Sequence, residues 1–337
     1  MLLIKKRACM VFLFICLGGA SIASADLIDW MDKGIKKENA NARFKGYLNG
    51  AYRATLYSEE NVLGQDTSLG SSEHEFFLTV PVYYRSADAA VSTINFNYRN
   101  TDTKAVFPAT GQLFPQDLYL LDLGLVYRHQ FENDWTGGTY ITFGSASNEL
   151  FASADEMAYS GTVFLKVPHR EKHAWLFVLN ISNNREFLRD IPIPGIGYLY
   201  NPSPNLHAVI GMPYEALSYR PFEKLSLQFI YLPVRTVFSE CEYTLFKQWK
   251  IYSGFRWYND RHMLADRPVE DERLYFYEKR VYGGLRYKIN DTFSADLSGG
   301  YAFDRMYFIG ETYKDRNENR IDIADGPFIS IKCILSF

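Results

Sequence analysis

The sequence predicts an all-β chain folded as a transmembrane antiparallel up-and-down β-barrel of about 14–16 strands, with 12 as the low alternative. Three observations predict it: an export leader with no apolar helix after it, apolar residues at every second position, and connections alternating between short and long.

The leader comes first. Residues 1–25 carry Lys5, Lys6 and Arg7, then the apolar run "ACMVFLFICLGGA", then Ala23-Ser24-Ala25. A basic start, a short apolar core and small residues at the cleavage positions make a secretory signal peptide. Its loss would take three basic residues from a chain already at net charge −3, which argues against nucleic acid as a partner. Beyond it no apolar run reaches the length of a spanning helix. Aromatic content is nonetheless 16%, with 25 Tyr and 25 Phe. Only Cys241 and Cys333 remain after the leader, so this is no disulfide-stapled scaffold, and two free thiols are expected. Residues 26–42 place Leu27, Ile28, Met31 and Ile35 at roughly helical spacing, as a short amphipathic or periplasmic segment before a barrel over 43–337.

The alternation is next. "STINFNYRN" sets Ile94, Phe96 and Tyr98 against Thr93, Asn95, Asn97 and Arg99. "LLDLGLVYRH" sets Leu121, Leu123, Leu125 and Tyr127 against Asp122 and Arg128. "AWLFVLNIS" and "LSLQFIY" repeat the pattern with Trp175, Phe177, Leu179 and with Leu225, Leu227, Phe229. Period two with one apolar and one polar face reads as half-buried strands. The segment 206–236 admits either one bent strand or a tight hairpin around Gly211-Met212-Pro213; splitting it gives sixteen strands, and merging weak neighbours gives fourteen or twelve. An even number brings both ends to one side.

The connections then sort by size. Short ones lie at 86–89, 132–135, 168–173, 201–205, 246–250 and 289–292. Longer polar ones lie between them, at 58–71, 101–117, 146–156, 184–193, 260–272 and 310–326. Short turns at one end and long loops at the other belong to a membrane barrel, and a two-sheet sandwich has no reason to sort them so.

The chain stops on "PFISIKCILSF", with Ile329, Ile331, Cys333, Leu335 and Phe337 on one face. In water such a row would be an aggregation hazard. Against acyl chains it is an ordinary outer surface, and closing the sheet satisfies every backbone group. This ending resembles the C-terminal assembly signal of bacterial outer-membrane β-barrel proteins, a last strand of alternating apolar residues with a terminal Phe. Cys333 departs from it, standing where a bulkier residue is usual. The resemblance implies a barrel in the bacterial outer membrane, surrounded by lipid and lipopolysaccharide and inserted by the barrel assembly machinery.

If the apolar rows face lipid, the charged rows face a lumen. Candidates for its lining or constriction are Arg99, Asp122, Arg128, Glu240, Glu242, Arg256, Glu278, Arg280, Arg286, Asp296 and Lys332, with Asp304 on the same parity. Opposite signs on neighbouring strands favour cross-strand pairs. Two readings stand. Such pairs hold a narrow barrel shut, or they form a polar constriction that selects small hydrophilic solutes. Trp135, Trp175, Trp249 and Tyr287 read as interfacial girdle residues, whereas Tyr140 and Tyr258 fall on the inward parity.

No enzyme motif emerges: neither G-x-S-x-G nor H-E-x-x-H occurs, and no cofactor is expected. His74, between Glu73 and Glu75, reads as a solvated histidine at a strand start. In the last long loop Asp315, Asn317 and Asn319 have the alternate spacing of calcium ligands. Arg320 stands where the sharp turn needs glycine, so a solvated loop is the better reading. The function expected is a pore or transport protein, with a plugged, partner-binding barrel as the alternative and a lipid-modifying enzyme behind both.

Overall fold

A computed structural model describes residues 48–336, apart from Ser86 and Glu186. The leader, the segment 26–42 and the terminal Phe337 lie outside the described residues.

Seventeen strands are joined in one antiparallel sheet. They are β1 (Asn49–Asn61), β2 (Ser68–Tyr84), β3 (Asp88–Thr103), β4 (Asp117–Gln130), β5 (Thr136–Ser147), β6 (Met157–His169), β7 (His173–Ser182) and β8 (Ile193–Ser203). Then follow β9 (Leu206–Met212), β10 (Glu215–Phe222), β11 (Leu225–Leu232), β12 (Thr236–Thr244), β13 (Trp249–His262), β14 (Arg273–Lys288), β15 (Phe293–Gly310), β16 (Arg320–Ile323) and β17 (Gly326–Ser336). From β1 to β15 each pairs with its neighbour in sequence, β16 and β17 both pair with β15, and β17 pairs back onto β1 from Asn49↔Ser336 to Tyr57↔Phe328. The sheet is closed, and no edge is left to pair with another chain.

Sixteen staves make the wall. The four-residue β16 and the longer β17 run in line along β15, which they pair at 305–308 and 293–302 respectively. Ala324 and Asp325 between them are unpaired in that ladder, and beside them β15 carries a bulge against β14, where Asp304, at φ 51°, and Arg305 oppose Glu278. Sixteen is the upper end of the predicted range and excludes twelve. The doubtful segment 206–236 is three strands, with the tight hairpin at Pro213-Tyr214. Pro213 and Pro233 both fall between strands, where a missing N–H costs no ladder bond.

The sheet's two faces follow the parity of the sequence. Facing outward, Leu123, Ile141, Phe143, Val163 and Phe177 are 43–55% exposed. Facing inward on the same strands, Asp122, Thr142 and Thr162 are buried. An apolar outside over a polar inside inverts a soluble protein and fits hydrocarbon surroundings. No helix among the described residues is long and apolar enough to cross a membrane; the crossing elements are strands. Trp175 and Trp249 sit at the short-turn ends of β7 and β13, and Trp249 packs on Tyr287 with ring centroids 4.4 Å apart.

Loop lengths are sorted less completely than the sequence predicts. Long loops connect β3 to β4, β5 to β6, β7 to β8, β13 to β14 and β15 to β16 at one end. At that same end, β9–β10 and β11–β12 turn in two and three residues. These four strands are also short, at 7, 8, 8 and 9 residues.

Candidate functional site

All eleven predicted lumen residues project inward, because each pairs in register with another inward position. Their grouping was not legible beforehand. Three levels stack along the lumen beside β1–β3 and β13–β17.

At the loop end the connection 104–116 folds inward as a plug. An isolated bridge between Val106 and Leu113 shapes it, and Phe107 and Phe114 are fully buried. Phe114 packs on Tyr307 at 5.2 Å and edge-on to Phe276 at 6.0 Å. Leu69, Leu118, Leu274 and Ile321 complete this apolar cluster.

Beneath it lies a belt of buried charge. The Arg99 guanidinium is 2.9 Å from Glu73, and Arg280 is 3.1 Å from the other oxygen of the same carboxylate. Arg280 also pairs with Glu278, which Arg305 meets at 3.2 Å. The Tyr57 hydroxyl lies 3.3 Å from both carboxylates and shares its one proton between them, and Tyr258 donates to Glu278 at 3.2 Å. Arg280 stacks over the rings of Tyr57 and Tyr258 at 4.9 and 4.7 Å. The five charged groups are each at most 5% exposed. Low dielectric strengthens such pairs and makes any unpaired member costly. Three guanidinium groups here face two carboxylates. Arg99 Nη1 in the belt, and Arg256 Nε below it, have no protein acceptor. The belt therefore carries surplus positive charge and a spare donor.

Below the belt a cavity of about 270 Å³ opens toward the short-turn end. Arg53, Arg256, Arg286 and Lys332 line it with Glu240 and Asp296. Arg286 is the hub: its Nε lies 3.0 Å from Asp296, its Nη2 lies 3.7 Å from Glu240, and its Nη1 pairs with Glu242. Lys250 meets Glu242 at 2.6 Å, and Arg53 meets Glu75 at 3.0 Å. Lys332 stands directly across from Asp296 in the β15–β17 register. Gly254 and Gly284 leave room for the rings of Tyr282 and Tyr252, which cross the floor of this space.

Two predicted residues lie apart. Asp122 borders a small separate cavity with Arg235, Asp260 and Arg261. Arg128 is buried near the turn end of β4. Asp304 is a correction: at the bulge the parity slips, so its carboxylate leaves the lumen and pairs with Lys279 on the outer face. The predicted calcium positions are otherwise engaged. Asp315 accepts from the backbone N–H and hydroxyl of Thr312, Asn317 accepts from Arg320, and Asn319 accepts from the Ala109 N–H. No metal-ligand cluster exists among the described residues. Cys241 and Cys333 are free thiols.

Sequence reasoning missed Glu73, Glu75, Arg53, Arg305 and Tyr57. A signal existed in "SSEHEFF", where two glutamates alternate about His74. His74 faces outward, accepting or donating at 2.8 Å with the Tyr52 hydroxyl and stacking on Tyr98, which puts both its neighbours in the lumen. Arg305 was hidden because it follows the bulge and so reverses parity.

These observations define a class: closed sixteen-stave membrane β-barrels whose lumen is divided by a plug and a salt-bridged belt. No family model matches the chain, and no curated protein sequence does. Among solved structures, an outer membrane channel from Pseudomonas putida aligns over 90% of this chain and all of its own, at 10% identity and TM-score 0.37. OccK7 of Pseudomonas aeruginosa covers 87% of this chain and 98% of its own at 9% identity and TM-score 0.38. The Pseudomonas putida toluene transporter TodX covers 90% and 93% at 8% identity and TM-score 0.38. The barrel assignment rests on the strand pairing of this chain itself.

Proposed function

We propose that the chain is an integral outer-membrane transport barrel, exported by its leader and seated with its short turns in the periplasm and its long loops outside. It passes small hydrophilic solutes, anions ahead of cations, through the belt of Glu73, Arg99, Glu278, Arg280 and Arg305. The observation carrying this reading is the surplus of guanidinium groups in the belt above a cavity lined by further cations. Rings of charged side chains with spare donors favour ions of opposite sign and tune selectivity in pores. Lipid and lipopolysaccharide surround the wall, and Ile329, Ile331, Cys333, Leu335 and Phe337 are what the assembly machinery reads.

In planar bilayers the purified barrel should show small, anion-preferring conductance steps. Replacing Arg280 and Glu278 together by alanine should enlarge the steps and weaken the anion preference. The plug of Phe107 and Phe114 favours a second reading, a sealed barrel working through its outer loops. A silent wild type, and a folded but equally silent double variant, would decide for that second reading.

A further inference from the structure

The far side of the lumen, beside β6–β11, differs in chemistry from the belt. Leu176, Val178, Val209 and Leu232 project inward there, and a pocket of about 100 Å³ opens among them. Gly195 and Gly197 hollow its back wall: a Cβ on Gly197 would meet Val209 Cγ1 at 3.3 Å. The polar groups at its edge include Arg185 and Asn180. Unusually for a luminal pocket, it is also bordered by side chains of the outer face, Ile196 and Met212, which are 48% and 78% exposed.

That border arises from a defect in the wall. Pairing between β9 and β10 runs only from Leu206↔Tyr219 to Val209↔Ala216, four residue pairs. Beyond Val209, β9 continues to Met212 against β8 alone, while β10 begins at Glu215 against β11. Four paired residues rise ~14 Å along a strand, against an apolar band about 25 Å tall. The notch between the two strands therefore lies at the depth of acyl chains. Elsewhere at this end the mouth is tied over. Arg189 donates from the loop 183–192 to the Asp271 carbonyl at 2.7 Å and to the Glu311 carbonyl. Arg267 reaches the Asp155 carbonyl at 2.7 Å, and Ala109 donates to Asn319 at 3.0 Å.

We propose that this pocket binds an apolar small molecule, no larger than about one ring within the pocket itself, that enters sideways from the acyl layer through the β9–β10 notch. The lining matches: a cavity of ~150 Å³ lined by Leu, Ile and Phe holds benzene, and this space of about 100 Å³, smaller but open toward the notch, takes part of such a guest. Water has little to bond to on these walls, so an apolar guest displaces it at low cost. The proposal needs the barrel to be membrane-embedded but does not need the belt to conduct.

The test uses the full barrel folded into phosphatidylcholine vesicles and photolabelled with the membrane-soluble probe 3-trifluoromethyl-3-phenyldiazirine. Labelled positions are read by peptide mass spectrometry. Outward Ile141 and Phe143 report seating in the bilayer, and inward Leu176 and Val178 report the pocket. Both sets should be labelled, and excess trifluoromethylbenzene should remove the inward label alone. Val209→Trp fills the pocket and should abolish label at Leu176 and Val178 while Ile141 and Phe143 keep theirs. Leu232→Trp, checked for heat-modifiable mobility, should do the same from the opposite wall. Label confined to the outward residues would overturn the proposal, as would inward label that survives both tryptophans. Inward labelling by a charged, water-confined diazirine would overturn entry from the membrane. Loss of label at Ile141 and Phe143 as well would remove the embedded barrel, and this site with it.

Discussion

The most consequential residues are the five charges of the belt, because each depends on the others for its burial. Removing one partner of a buried ion pair leaves an unpaired charge and typically costs about 3–5 kcal/mol. Glu278 bonds to Arg280, Arg305, Tyr57 and Tyr258 at once. Glu278→Gln should therefore lower the unfolding free energy of vesicle-folded protein, read from urea titration, by an amount in that range. Lys288→Ala should leave it unchanged, since Lys288 pairs only with the fully exposed Asp291 at a turn. An equal response from the two variants would show that the belt does not stabilise the fold. The inward direction of these residues was legible from parity alone. Their assembly into one belt was not, because Glu73, Arg99, Glu278 and Arg305 come from four strands spread over more than two hundred residues.

At the scale of elements, the plug and the loop ties set how firmly the outer mouth is closed. Phe114 anchors the 104–116 connection between Phe107, Phe276 and Tyr307. Truncating a buried Phe costs about 3–5 kcal/mol, so Phe114→Ala should release the plug. Hydrogen exchange across 104–116 should rise sharply while β3 and β4 stay protected; unchanged exchange would mean the plug is held by its backbone alone. The loop 263–272 adds a pH response. Burial, and then the neighbouring Glu311 carboxylate, push the Glu272 carboxyl above its ordinary range. A raised acid favours the folded loop while protonated, and that support is lost as pH climbs from the ordinary glutamate value through the raised one. Exchange in 263–272 should therefore quicken across that window, and Glu272→Gln should flatten the change. The loop existed in the sequence as a polar stretch; its charge repulsion appears only when two distant loops meet.

For the molecule as a whole, closure is the governing fact. Sixteen staves pair all the way round, from β1 to β17 and back, with the ladder cut short at the β9–β10 notch. Such a barrel should migrate faster on gels before boiling than after it. A chain that stays in solution without detergent would contradict the lipid-facing wall. Assembly should depend on the last strand. Deleting Phe337 should cut outer-membrane levels severalfold, whereas Asp315→Ala should leave them intact, and equal levels would argue against a terminal assembly signal.

The sequence by itself determined the strand character, the side of each strand that meets hydrocarbon, and the sorting of most connections, because all three are local. A pleat alternates sides at every residue, and a turn announces itself in a few positions. What the tertiary structure decided was the exact stave number, the slip of parity at Asp304, the belt, the plug and the notch. Each depends on which strands become neighbours and where pairing stops, and period-two patterning leaves those free: a one-residue bulge or an early end to a ladder alters no local signal, yet it redirects side chains and opens the wall.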